Sequence, residues 1–168
     1  MNRKSPASLA VVASIAATLC GAPAATAAPD FSQDLPAGLA CAGFDLRVEG
    51  ADSKRHYKEF EDRNGNVVKS IEAGKGYTLT FTNLTTKASI TFESNGSVNR
   101  TTYNADGTST SSVTGHNVLI FFPTDVPSGP STTLYLGRVV YTVTTEGVWT
   151  LESTAGQSVD ICAALRTR

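Results

Sequence analysis

The sequence predicts an all-β protein: a two-layer antiparallel β-sandwich of nine to eleven strands, for which an immunoglobulin-like topology is allowed. A closed β-barrel is the alternative. Three observations predict the all-β class. Short segments alternate apolar and polar residues, Gly, Asn, Asp and Pro separate these segments at close intervals, and no stretch after residue 28 keeps a helical period. This combination is typical of sandwiches and barrels.

The first 27 residues have the pattern of a signal peptide. Arg3 and Lys4 supply a positive end, residues 7–19 are small and apolar, and residues 25–27 read Ala-Thr-Ala, which a signal peptidase recognises. Cys20 lacks the neighbours of a lipid-modified cysteine, so we expect it to be removed with the signal. The predicted location is therefore secreted and extracellular.

Removal of residues 1–27 leaves 141 of the 168 residues, which is about one domain. We expect an extended amino-terminal segment at 28–40 and a single β-sandwich domain at 41–168. The loss of two cations changes the formal net charge from −1 to −3, and the chain contains no basic stripe. Nucleic acid, anionic lipid and a membrane span are therefore not expected. A cell-wall polysaccharide or another extracellular protein remains as the partner.

Two cysteines remain after the signal, Cys41 and Cys162, near the two ends of the predicted domain. An even number of cysteines in an exported chain predicts a disulfide, which here ties the first strand to the last. Both cysteines are out of phase with the apolar residues beside them. If both segments are regular strands, the bridge lies off the core face.

The strands and hairpins are predicted in order from alternation and turn residues. Alternating or apolar segments predict strands at 44–49, 77–82, 88–93, 118–122 and 131–143, and a final strand at 158–165. Turns are predicted at Asn64-Gly65, Asn83–Thr86, Asn95-Gly96, Asp106-Gly107, Glu146-Gly147 and Ala155-Gly156. The arm at 108–114 is nearly all hydroxyl side chains, so we expect it at a sheet edge.

Two glycine- and proline-rich places need a separate interpretation. The apolar phase of the strand at 131–143 changes at Gly137-Arg138, which predicts a β-bulge, with burial on both faces as the alternative. The segment 118–122 is apolar on both phases and suits a central strand. It runs into residues 123–130, which contain three prolines and predict a stiff crossover loop. Such a pre-ordered loop can also hold a ligand.

Catalytic and metal-binding patterns are weak in this chain. The only histidines are His56 and His116, and no nucleophile-elbow motif accompanies them. A small hydrolase that uses His116 with Asp125 is the enzymatic alternative, whereas a histidine bonded to backbone is the simpler interpretation. Residues 62–66 have the spacing of a hairpin turn rather than of a calcium loop. We therefore expect no enzyme activity, no cofactor and no metal.

Candidate binding residues come from exposed aromatic positions and from the proline-rich loop. Tyr103 lies in a polar segment and is the aromatic residue expected to be most exposed, whereas Tyr141 and Trp149 have core-like phases. The predicted binding surface consists of Tyr103, Thr124, Asp125 and His116. The aromatic residues that could form a sugar platform are Tyr57, Tyr103, Tyr135 and Trp149, and such a face would need Tyr103 and at least one further exposed aromatic residue.

Most of the chain from Cys41 to Leu165 resembles a group of small exported actinobacterial proteins without an assigned activity. The resemblance is carried by Gly115-His116, by residues 123–125, by Gly129-Pro130 and by Asp160–Leu165. It implies an exported β-sandwich and transfers no catalytic residue. The functional expectation is a secreted, non-enzymatic binding or interaction module. A small hydrolase or a structural envelope component is the alternative.

Overall fold

The computed structural model describes residues 28–166, so the predicted signal peptide lies outside the described residues. The described residues contain ten strands and one short helix. In chain order they are β1 (Phe31–Leu35), β2 (Leu46–Ala51), β3 (Lys54–Glu61), β4 (Val67–Lys75), β5 (Thr78–Asn83), β6 (Ser89–Phe92), β7 (Ser97–Tyr103), β8 (Ser109–Phe121), β9 (Ser131–Val143), β10 (Trp149–Asp160) and α1 (Ile161–Arg166). The segment expected to be merely extended contains β1, which pairs with β2.

The strands form two antiparallel sheets, as predicted for a sandwich. One sheet has the order β1-β2-β5-β6 and the other the order β10-β9-β8-β7-β4-β3. Each sheet ends in two edge strands, so the fold is not a closed barrel. The hairpins predicted at Asn64-Gly65 and Asp106-Gly107 join β3 to β4 and β7 to β8. The edge placement predicted for residues 108–114 is wrong, because β8 pairs with β7 and β9 along this whole arm.

The hydroxyl-rich arm is accommodated inside the sheet because its hydroxyls find partners there. The Ser111 Oγ lies 2.8 Å from the Thr101 Oγ1 on β7, and the Ser112 Oγ accepts a bond from the Arg138 Nε on β9. A buried hydroxyl is tolerated when it is hydrogen-bonded. Composition therefore misplaced the strand, because cross-strand pairing was not visible in the sequence.

The main core lies between the two sheets and is closed by α1. It combines Leu46, Val48 and Phe81 of the four-stranded sheet with Leu134 of β9, and α1 adds Ile161 and Leu165 from its buried side. The predicted final strand is partly wrong, because α1 replaces its second half. Asp160 begins this helix: its Oδ1 accepts a bond from the Ala163 N–H, as a helix cap does.

The Cys41–Cys162 disulfide is present, as predicted, and spans 121 residues. Chain-entropy arguments give such a bridge about 4–5 kcal/mol of stability. The predicted position off the core is wrong, because both cysteines are buried in the main core. Cys41 lies in the connection between β1 and β2, and Cys162 lies on α1, so neither follows the alternation of a strand.

Glycines with positive φ lie side by side across the six-stranded sheet. Gly115 of β8 pairs with Gly137 of β9, which pairs with Gly156 of β10, and Gly74 of β4 continues the row. The φ of Gly115 is 99° and that of Gly137 is 148°. A Cβ at Gly137 would collide with the carbonyl oxygen of Ala155. Only glycine fits here, because β-carbons disfavour this backbone and no space exists for one.

The β-bulge predicted at Gly137-Arg138 is wrong, because both ladders pass this point without a change of register. The only shift in the β9–β10 pair lies at Glu152. The change of apolar phase is real, since Leu134 is buried before the glycine and Tyr141 after it. The turn predicted at Ala155-Gly156 is also wrong, because β10 continues through it in register with the glycine row.

The six-stranded sheet doubles back on itself along this row. The loop after β8 forms a bridge to the start of β10: the Val126 N–H donates to the Trp149 carbonyl, and the Val126 carbonyl accepts from the Leu151 N–H, each at 2.7 Å. Phe121 pairs with Ser131 at one end of β9, and Thr150 pairs with Thr142 near the other end. In a flat sheet Phe121 and Thr150 would therefore be roughly 36 Å apart, the extended length of Ser131–Thr142. The link Phe121–Val126 reaches at most about 18 Å. The strands must therefore curve.

A second core cluster fills the inside of this bend. Leu119 and Phe121, from one half of the sheet, contact Val139 and Tyr141, from the other half. The half nearer the main core is thus buried on both faces, as the apolar segment 118–122 predicted. We call the other half the distal half; it consists of 54–61, 67–73, 97–103, 109–114, 138–143 and 149–155.

Candidate functional site

The proline-rich loop is held in place by one of the predicted binding residues. The Asp125 side chain is only 4% exposed. Its Oδ2 accepts the Phe122 N–H at 2.7 Å, and its Oδ1 accepts the Trp149 N–H at 2.9 Å. The carboxylate thereby fastens the loop to β10, which is the role expected of a stiff crossover. Thr124, its neighbour, is exposed at the surface of the loop.

His116 does not contact Asp125 among the described residues. Its Nδ1 lies 3.3 Å from the carbonyl oxygen of Glu93, which follows β6. Both Asp125 carboxylate oxygens are occupied by backbone donors, so this side chain is not free to orient an imidazole. The geometry places His116 in the wall of a cleft and Asp125 elsewhere.

This cleft, of about 240 Å³, lies between the β5–β6 side of the four-stranded sheet and the inner side of the bent sheet. Residues from both sheets line it. They are Arg55, Gly76, Tyr77, Leu79, Phe92, Glu93, Ser94, Asn99, Val113, His116, Asn117, Val118, Leu119, Leu134, Tyr141 and Trp149. Its existence follows from the bend, because the distal half curves away from the four-stranded sheet.

An ion pair and an aromatic stack organise one side of the cleft. The Arg55 Nη1 lies 2.9 Å from the Glu72 Oε2, and both side chains are 31% exposed. The Arg55 Nη2 also donates to the Ser97 Oγ at 2.8 Å. The Tyr141 and Trp149 rings are stacked with their centroids 4.5 Å apart. Burial raises the pKa of the Tyr141 hydroxyl, so this side chain stays neutral.

Asn117 contributes a polar group without a partner. Its Nδ2 is shielded from solvent and has no hydrogen-bond partner among the described residues. Leaving such a donor unpaired costs about 1–3 kcal/mol, so native proteins contain few of them. The side chain lies in the wall of the cleft, beside Leu119 of the second core.

The inner face of the distal half continues beyond the cleft as an exposed surface with two tyrosines. Tyr57 is 59% exposed and Tyr103 is 40% exposed. Glu59 pairs with Ser70, and Ser70 pairs with Thr101, so these three side chains lie on one face. Tyr57 is two residues from Glu59 and Tyr103 is two residues from Thr101, so both tyrosines lie on the same face. We call this surface, made of Tyr57, Glu59, Ser70, Thr101 and Tyr103, the tyrosine face.

The hydroxyl groups of the tyrosine face form a connected network. The Tyr57 hydroxyl donates to the Glu59 Oε1 at 2.8 Å, and the Tyr103 hydroxyl lies 3.3 Å from the Ser70 Oγ. The bond to Glu59, followed by that to Tyr103, raises the pKa of Tyr57 to about 12. The face thus presents two aromatic rings, and the Tyr57 hydroxyl stays neutral over a wide pH range because its pKa is raised.

The opposite face of the distal half is positively charged. Lys58 and Phe60 alternate with Tyr57 and Glu59 along β3 and therefore lie on the other side, where the Lys58 Nζ is 5.1 Å from the Phe60 ring centroid. We call this surface the basic face; it consists of Lys58, Phe60, Lys69, Arg100 and Arg138. These cations are far apart in the sequence, where no basic stripe is visible. The pairing of β3, β4, β7, β8 and β9 brings them onto one face.

No group of three or more metal-ligating side chains is found within residues 28–166. The turn at 62–66 is a hairpin in which Asp62 accepts the backbone N–H groups of Asn64 and Asn66. The same part of the chain contains no helix long and apolar enough to cross a membrane.

Sequence reasoning identified Tyr103 and His116, and named Tyr57 and Trp149 as possible sugar contacts, but it missed the polar groups of the cleft. Arg55 and Asn99 look like ordinary solvated positions on alternating strands, and only the bend brings them to a cleft. Asn117 carried a usable signal: it is an amide that directly precedes the apolar run 118–122. A polar residue within a strand that is buried on both faces needs a partner.

No protein-family model, no curated protein and no solved structure matches this chain. The cleft and the tyrosine face are therefore the features from which a function is inferred.

Proposed function

We propose that the protein is an exported, non-enzymatic binding module that recognises an extracellular polysaccharide through the tyrosine face. The observation that carries this proposal is the exposed pair Tyr57 and Tyr103, on one face of one sheet, with both hydroxyls in a polar network. Tyr57 is the second exposed aromatic residue that a sugar-binding face requires beside Tyr103.

The chemistry of the face matches that of a sugar ring. An aromatic ring offers a flat apolar surface to the C–H face of a sugar, while its hydroxyl forms hydrogen bonds at the rim. Glu59 accepts hydrogen bonds, and the hydroxyls of Ser70 and Thr101 can donate or accept them. Sugar hydroxyl groups that act as donors and those that act as acceptors therefore both find a partner. Because these residues lie on paired strands, the surface is ordered before a ligand arrives, which lowers the entropic cost of binding.

Support for export is independent of the binding face. The Cys41–Cys162 disulfide is compatible with an oxidising, extracellular compartment. The amino-terminal pattern of charge, apolar run and Ala-Thr-Ala agrees with this location.

Three other functions remain as alternatives. Another extracellular protein could use the same face, since tyrosines are common in protein interfaces. A small extracellular hydrolase would use His116, which lines the cleft but is bonded to a backbone carbonyl. A structural envelope component would need no ligand surface.

The first experiment measures retention of the mature protein on insoluble chitin, cellulose and peptidoglycan. We expect retention on at least one polymer, and we expect Tyr57→Ala and Tyr103→Ala each to weaken it about tenfold, or about 1.4 kcal/mol. Phe60→Ala is the matched control, since Phe60 is 37% exposed on the same strand as Tyr57 but faces the other way. We expect it to bind like the wild type.

Two outcomes would contradict the proposal. Failure of the wild type to bind any of the polymers would favour a protein partner or a structural role. Release of soluble sugars from a bound polymer, lost in His116→Ala, would instead favour the hydrolase.

A further inference from the structure

The cleft beside the tyrosine face contains a donor that the protein itself leaves unused. The Asn117 Nδ2 has no partner among residues 28–166, and Asn117 is one of the residues that line the cleft. It is shielded from solvent where it lies, but the terminal amide torsion of an asparagine is soft. Rotation of this amide toward the cleft would direct the donor at a ligand oxygen.

The surroundings of Asn117 restrict which ligand group could fit. Leu119 and Val113 lie on the same face of β8, and Leu79 and Phe92 line the cleft from the four-stranded sheet. A ligand that reaches the amide must therefore bring both an acceptor oxygen and a small apolar part. A bare hydroxyl would supply the first of these and not the second.

A second polar group in the lining complements the first. Asn99 lies in the cleft, and its Oδ1 accepts only a long 3.5 Å bond from the Thr101 hydroxyl. This oxygen has a free lone pair for an N–H donor. Thr101 belongs to the tyrosine face, so the cleft and that face are contiguous.

An acyl-amide group meets these requirements together. Its carbonyl oxygen accepts from the Asn117 Nδ2, its N–H donates to the Asn99 Oδ1, and its methyl group contacts the apolar side chains. We propose that the cleft binds the acetamido group of an N-acetylated amino sugar, whose ring or neighbouring units lie on the tyrosine face. This inference rests on the proposed function and names its ligand class.

The test compares three soluble oligosaccharides of equal length and linkage: N-acetylglucosamine, glucosamine and glucose oligomers. Affinities are measured by isothermal titration calorimetry with wild type, Asn117→Leu and Tyr103→Ala. We expect the wild type to prefer the acetylated oligomer at least tenfold. Asn117→Leu should abolish this preference and leave the weaker affinities unchanged, whereas Tyr103→Ala should weaken whatever binds.

Folding is controlled in the same set of variants. Leucine has nearly the shape of asparagine and removes an unsatisfied donor, so Asn117→Leu should be at least as resistant to heat as the wild type. A loss of preference then reflects a lost contact and not a lost fold. A direct readout is the NMR signal of the Asn117 side-chain amide, which N-acetylglucosamine should shift and glucosamine should not.

The outcomes separate the two proposals. Equal wild-type affinity for acetylated and non-acetylated oligomers, or an unchanged preference in Asn117→Leu, would overturn the acetamido inference while leaving polysaccharide binding intact. No binding of any oligomer or insoluble polymer would overturn the proposed function, and this inference with it.

Discussion

The two faces of the distal half are made from the same strands and differ in almost every chemical respect. On β3, Tyr57 and Glu59 belong to the tyrosine face, and Lys58 and Phe60 belong to the basic face. The first surface is aromatic, rich in hydroxyls and continuous with a cleft. The second is cationic and convex. Because side chains alternate along a strand, a single sheet can present two surfaces for two kinds of ligand.

The bend explains why only one of these faces has a cleft. The tyrosine face lies on the inner side of the bend, which closes around the second core, so its neighbouring polar groups become partly enclosed and form specific pairs such as Arg55–Glu72. The basic face lies on the outer side of the bend, and its cations are exposed to solvent. Enclosure, rather than composition, is what makes the inner face the better candidate for selective binding.

The largest effect is expected from removal of the bend. Gly137→Ala places a Cβ against the Ala155 carbonyl in a backbone with positive φ, so we expect the free energy of unfolding to fall by about 2–3 kcal/mol. Denaturant titration measures this loss. Gly147→Ala is a control, since Gly147 also has positive φ but open space around it, and we expect it to cost less. Equal losses would show that backbone strain acts without the steric contact.

Charge reversal on the outer face sharpens the comparison between the two faces. We expect Lys58→Glu with Arg100→Glu to leave retention on a neutral polysaccharide within about twofold, because the tyrosine face does not include these side chains. Binding to a polyanion such as heparin should decrease and lose its dependence on salt. Lys87→Glu, in the turn between β5 and β6, is the control for a charge change away from the basic face. A large loss on the neutral polymer would place the ligand on both faces.

The smallest effect concerns the Tyr57 hydroxyl. Its bond to Glu59 raises its pKa to about 12, above the ordinary value of about 10. The stabilising contribution of this bond is therefore complete below about pH 10 and is lost as the pH rises through about 12. Spectrophotometric titration should show Tyr57 titrating near pH 12, in addition to Tyr141 and Tyr135, whose pKa values burial also raises, and the Tyr57 component should be absent in Tyr57→Phe. Glu59→Gln should bring it back toward 10; an unchanged late titration would exclude Glu59 as the cause.

The sequence was informative for most features that a local rule decides, although the local signals at Gly137 and Gly156 predicted a bulge and a turn that do not form. Asn-Gly and Asp-Gly pairs placed two hairpins, alternation placed most strands, and an even number of cysteines placed the disulfide. It was misleading wherever partners decided the outcome. The hydroxyl-rich arm of β8 is central because Thr101 and Arg138 meet its hydroxyls from the neighbouring strands.

In the candidate site, too, some residues could be found by local rules and others became a surface only through strand pairing. Tyr103 could be found as an aromatic residue in a polar segment, but Tyr57 and Tyr103 became one surface only through the pairing of β3, β4 and β7. Asp125 was selected as a binding residue for its place in an ordered loop. Its carboxylate instead fastens that loop to β10.

The sequence by itself determined the fold class, the hairpins and the covalent bridge, because turn chemistry, side-chain alternation and cysteine number act over a few residues or through one bond. Tertiary structure decided the bend, the cleft and the separation of a tyrosine face from a basic face. Glycines far apart in the chain produce the bend only when strand pairing sets Gly115 and Gly137 side by side. The unpaired amide of Asn117 acquires its meaning only from the cleft that this bend creates.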